Sequence, residues 1–84
     1  MTDLLDRAKR FLMGRQTAYR VVFDGPRAQE VLADLAKFCR ANETTFNPDP
    51  RIEGRLDGRR EVWLRIQHHL QLTPDELWKL YQSK

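Results

Sequence analysis

Little in this chain points to covalent or metal-held structure. Its 84 residues include one cysteine, Cys39. That excludes an internal disulfide and any multi-cysteine zinc site, and sets the expectation of a reducing, intracellular environment. No apolar run approaches the roughly 20 residues of a membrane span. The opening Met1-Thr2-Asp3-Leu4-Leu5-Asp6 is acidic and amphipathic, where a secretory leader would be basic and then apolar. Neither a membrane partner nor secretion by signal peptide is expected. Blocks of like charge are missing too. Residues 1–25 carry five basic and three acidic groups, 26–46 three of each, and 47–69 five against four. A non-specific nucleic-acid binder concentrates its Lys and Arg more strongly. Phosphate-binding glycine loops, nucleophile elbows and paired-histidine zinc helices are absent from the sequence. The expectation is a protein that is not an enzyme and carries no cofactor.

What the chain has is helical periodicity. Leu4, Leu5, Ala8, Phe11, Leu12, Tyr19, Val22 and Phe23 recur at steps of three and four, the mark of one buried helical face. Thr2 suits an N-cap, with Asp3 at the positive helix end. Gly14 interrupts this pattern in phase, so one long helix over about residues 3–23 is expected, with a bend at Gly14 as the alternative. A short strand over Ala18–Phe23 would have no partner. Asp24-Gly25-Pro26 punctuates the chain. A second helix then follows over 26–41, with Ala28, Val31, Leu32, Leu35, Phe38 and Cys39 on its core face. Residues 42–50 form a loop whose one large apolar side chain, Phe46, is expected to plug onto the core. Asp49-Pro50 is a cap and first-turn pair opening a third helix to about residue 70, although Gly54 and Gly58 allow a start as late as Asp57. Thr73-Pro74-Asp75-Glu76 is a capping box for a fourth helix over 74–82, with Leu72 and Leu77 placed as a hydrophobic staple. A single all-α domain over 1–84, a bundle of three to four helices, is the expected fold.

The candidate functional residues lie mostly on the third helix. Arg51, Arg55 and Arg59 step by four and form one stripe, with Arg60 and Arg65 on neighbouring faces. One reading is an anion- or partner-binding ridge. The other is a solvated face balanced by Glu53, Asp57 and Glu61, with Glu61 and Arg65 paired at i, i+4. Trp63 and Trp78 either fill the space between the last two helices or anchor an interface, together with Phe46 and Tyr81. His68 and His69 are neighbours that point about 100° apart on a helix and cannot readily share a metal, so surface or partly buried positions are expected.

Several segments carry a family resemblance. Val22-Phe23-Asp24-Gly25-Pro26, Val31-Leu32-Ala33-Asp34-Leu35 and Phe38-Cys39 are three of them. Gly58-Arg59-Arg60-Glu61-Val62-Trp63-Leu64-Arg65-Ile66 and Leu72-Thr73 are the others. Together they resemble a family of small tailed-bacteriophage proteins first described from a Bordetella phage. The resemblance runs from about Tyr19 to Tyr81, and Gly-Arg-Arg-Glu-Val is its most specific part. It implies a gene among phage or prophage head and packaging genes, and brings no catalytic residues. Arg59, Arg60 and Glu61 are the polar members of the signature, suited to an inter-helix salt bridge or a partner contact. The expected function is contact with a protein partner, phage or host, in virion assembly or as a minor virion component. The alternatives are a nucleic-acid-binding accessory protein and an inhibitor of a host protein. A homo-oligomer is also open, and the expected location is the host cytoplasm or the virion.

Overall fold

A computed structural model describes residues 2–83, the side chain of Thr2 excepted, so the expected Thr2 cap lies outside the described residues. Four helices follow in order: α1 Thr2–Val22, α2 Pro26–Phe38, α3 Pro50–Gln71 and α4 Pro74–Gln82. No strand occurs among the described residues. The fold is a small all-α bundle.

α1 runs unbroken through Gly14, because the apolar spacing resumes in phase beyond it. Its buried line is Leu12 and Gln16, continued by half-buried Tyr19 and Phe23. Leu4, Leu5, Phe11 and Val22, expected in the core, are exposed. Beyond α1 the chain turns at Gly25, whose φ of 93° lies in the region that glycine adopts without a Cβ penalty. Pro26 then opens α2 at a position where its missing N–H costs nothing.

α2 ends three residues before the expected Ala41. Arg40 adopts a left-handed φ of 54°. Its amide donates to the Lys37 carbonyl (3.2 Å) and the Ala41 amide to the Ala36 carbonyl (2.9 Å). This pair of bonds is a Schellman motif, which stops a helix regardless of the apolar spacing that follows. Of the expected α2 core, Ala28 and Cys39 are buried, Leu32 and Leu35 half-buried, and Val31 and Phe38 exposed.

Short polar side chains pin the following loop. Thr44 Oγ1 accepts from the Phe46 amide, Asn47 Oδ1 from the Asp49 amide, and Glu53 Oε1 from the Asn47 amide. Asp49 then caps α3 by accepting from the Arg51 amide at 2.9 Å. With its backbone satisfied locally, the loop holds Phe46 outward. The side chain is 67% exposed and does not plug the core as expected.

α3 starts at Pro50, since the Asp49 cap outweighs the two glycines. α4 opens with the expected capping box. The Thr73 amide donates to Glu76 Oε1 at 2.9 Å, and the Glu76 amide donates to Thr73 Oγ1 at 3.2 Å. The Thr73 amide, and next the Thr73 side chain, hold the Glu76 carboxyl below its ordinary pKa.

α1 packs on α3 and α4, and α2 packs on α3. The buried apolar residues are few: Leu12, Ala28, Cys39, Leu56, Ile66 and Leu77. The molecule is flat, with extents of 50 × 33 × 15 Å and a radius of gyration of 15.5 Å. A compact chain of this length would have a radius of gyration near 12 Å.

Candidate interaction surface

α3 splits the sequence-predicted residues between its two ends. Fourteen residues separate Arg51 from Arg65, which is about 21 Å along a helix. Arg65 therefore does not share a patch with the Arg51, Arg55 and Arg59 stripe.

At the N-terminal end, Arg51 and Arg55 are exposed. Arg51 Nε lies 3.9 Å from Asp49 Oδ1, a weak surface contact. Arg59 is half-buried, and its guanidinium sits 4.2 Å from the centre of the Phe38 ring. Here α3 meets the end of α2 through a cation–π contact. Arg60 has a structural task. Its Nη1 donates to the Glu43 carbonyl (3.0 Å) and its Nη2 to the Ala41 carbonyl (3.2 Å). Those carbonyls lie just past the α2 stop, so Arg60 ties the loop to α3. The inter-helix salt bridge suggested for the signature is replaced by this charge-to-carbonyl clamp. Phe38, Phe46 and Ile52 are exposed on the α2 end, the loop and the first turns of α3.

At the other end of α3, His69 is 1% exposed. It is fully buried, against the expectation of a surface or partly buried residue. Its ring stacks on Tyr19 from α1 at 4.1 Å between centroids. Nδ1 lies 2.7 Å from the Arg65 carbonyl, and Nε2 lies 2.7 Å from the Tyr81 hydroxyl. A carbonyl only accepts, so Nδ1 carries the proton. In the neutral ring, Nε2 then accepts from the Tyr81 hydroxyl. Arg65 Nη2 donates to the same hydroxyl at 3.1 Å. Burial lowers the His69 pKa below 6.5, more strongly than the Arg65 carbonyl raises it, and the nearby charges of Arg65, Arg15 and His68 lower it further. One imidazole thus joins α1, α3 and α4 in its neutral form.

Arg65 is engaged with Tyr81, and among the described residues no Glu61–Arg65 ion pair forms. Glu61 is exposed on the rim of a groove of about 400 Å³ between α3 and α4, floored by Leu77, Leu80 and Tyr81. Trp63 and Trp78 are half-buried. Trp78 lines a second groove, between α4 and the first half of α1. Among the described residues no cluster of His, Cys, Asp and Glu is placed to hold a metal ion, and no helix is long and apolar enough to cross a membrane.

Sequence reasoning missed Gln16. It is buried, and its Nε2 donates to the Leu72 carbonyl at 2.7 Å. Arg20 Nη2 reaches the same carbonyl at 3.3 Å. α1 thereby clamps the turn between α3 and α4. The signal was present, since Leu12, Gln16, Tyr19 and Phe23 follow helical spacing, but a polar residue on an apolar line reads as an interruption.

The model of the family described as Bbp19-like phage protein matches residues 19–82. No curated protein and no solved structure matches the chain.

Proposed function

Because the chain belongs to the Bbp19-like phage protein family, we propose that it works without catalysis, by binding a protein partner in virion assembly or as a minor virion component. The supporting observation is the corner where α2, the loop and α3 meet. Phe38, Phe46 and Ile52 stand exposed there beside Arg51, Arg55 and Arg59. Aromatic and arginine side chains held on a rigid base are the residues that dominate protein interfaces. The base is rigid because Arg60 and the loop's own hydrogen bonds satisfy its backbone. Phe46 therefore enters a contact with little further loss of entropy.

The acids on α3 bear on the competing reading. Glu53, Asp57 and Glu61 alternate with the arginines, which weakens the field a phosphate backbone would feel. The test is cross-linking mass spectrometry on purified particles and on infected cells, comparing the wild-type chain with Phe46→Glu. Cross-links to a virion protein that vanish in the variant support the proposal. Cross-links to a host protein alone would shift it to host inhibition. Binding to labelled duplex or single strand that weakens steeply with salt would replace it with a nucleic-acid role.

A further inference from the structure

The corner described above leaves a separate apolar surface unexplained. Along α1, Leu4, Phe11 and Ala18 are spaced by seven residues, with Val22 one turn further on. Leu4 is 75% exposed, Phe11 62% and Val22 68%. At about 100° per residue these side chains share a line on the flank of the helix, roughly 80–120° from the buried line through Leu12. A seven-residue apolar repeat is the spacing with which one helix packs along another. Beside it runs a groove of about 370 Å³, lined by Leu4, Arg7, Ala8 and Phe11 of α1 and by Trp78 and Tyr81 of α4.

We propose that a second copy of this chain covers this flank, the two α1 helices lying antiparallel about a two-fold axis near Phe11. Two observations select a second copy. The first is area. A folded monomer of 10.0 kDa exposes roughly 5,200 Å², whereas this chain exposes 6542 Å². The excess of about 1,300 Å² exceeds the roughly 800 Å² that each partner buries in a standard interface. The second is self-complementarity. The same face carries an exposed Phe11, its ring under the Arg15 guanidinium at 4.6 Å, and a largely apolar groove of which Phe11 is one wall, so one surface offers both halves of a two-fold contact. The helix dipoles set the direction, since antiparallel alignment opposes them whereas parallel alignment stacks like on like. In that arrangement Leu4 meets the partner's Ala18, and Phe11 enters the partner's groove beside Trp78. Most of the stripe precedes Tyr19, outside the family match, so this inference stands apart from the partner-binding role proposed above.

Light scattering across a concentration series tests it, combined with cysteine cross-linking. The wild-type chain is expected at twice 10.0 kDa. Phe11→Glu is expected at the monomer mass with unchanged far-ultraviolet circular dichroism, because the side chain it replaces is exposed. Phe11→Cys should form a disulfide-linked dimer. Leu4→Cys should not, since its two copies lie about 21 Å apart along antiparallel helices. Cys39 is buried and does not interfere. A wild-type chain that stays monomeric at millimolar concentration overturns the proposal. So does a dimer that survives Phe11→Glu, or one that Phe46→Glu dissociates instead. Cross-linking of Leu4→Cys overturns the antiparallel arrangement.

Discussion

At its C-terminal end α3 packs against α1 and α4 through side chains removed from water. At its N-terminal end it meets α2 and the loop through an arginine and backbone carbonyls. Leu77 is fully buried at the first end, beside the His69–Tyr81–Arg65 network and the Gln16 clamp. Leu56, Ala28 and Cys39 are the buried apolar residues of the second, where Arg60 secures the loop from a partly exposed position. The difference separates two tasks. Buried contacts supply most of the folding energy, whereas hydrogen bonds to already solvated carbonyls mainly restrict geometry. One end makes the bundle stable, and the other makes a surface rigid.

Leu77→Ala should break the comparison at its strongest point. Removing a fully buried leucine costs about 2–5 kcal/mol, and in a core with so few buried residues that threatens the whole bundle. Urea denaturation should show a large fall in midpoint. Tyr81→Phe comes next. It leaves the His69 Nε2 acceptor without its donor, at a cost of about 1–3 kcal/mol, and thermal melting should detect it.

The same network sets a pH dependence. Because the folded-state pKa of His69 lies below 6.5, the unfolded chain binds more protons between that pKa and 6.5. Stability therefore falls as pH drops from 6.5 toward the folded pKa, then levels. Above 6.5 the contribution is complete. Melting temperatures measured across this range should decline on acidification. A flat profile would show that His69 charges without loss.

At the weaker end the effects are smaller and of both signs. Arg40→Gly should stabilise the chain by about 1 kcal/mol, because glycine meets the left-handed φ without penalty. A rise in the urea midpoint would sharpen the assignment of the Schellman stop. Arg60→Ala should cost about 1 kcal/mol and speed amide exchange around residues 41–46, with α4 unaffected. Exchange rates that rise equally in both regions would show that the two ends are not separate. Arg55→Ala should change stability by less than about 0.5 kcal/mol.

The helices were legible because their signals are local. The Thr73–Glu76 box and the Asp49–Pro50 start each lie within a few residues, so spacing alone identifies them. The α2 end was misplaced because Arg40 in a left-handed conformation has no sequence signature, unlike a glycine there. The candidate site was partly legible. The Arg51, Arg55 and Arg59 spacing sets three residues along one side of α3, two of them exposed and Arg59 half-buried. It did not indicate that Arg60 points to the Ala41 and Glu43 carbonyls, nor that Arg65 pairs with Tyr81 in place of Glu61. Those partners lie 16 to 19 residues away in the chain, and periodicity describes one helix at a time.

Sequence by itself determined where the four helices form and how α3 and α4 are capped, because backbone hydrogen bonding and capping act within one or two turns. Tertiary structure alone decided which apolar residues leave water. Phe11 and Leu12 have nearly equal claims on the periodic pattern, yet Leu12 is buried and Phe11 is not. The pattern names a face, but burial needs a neighbour to cover it. In a flat arrangement of four helices there are too few neighbours to cover every apolar side chain. For the same reason His69, polar and unremarkable in the sequence, became the joint of three helices. Tyr19, Tyr81 and the Arg65 carbonyl supply its packing and hydrogen bonds only once the chain has folded.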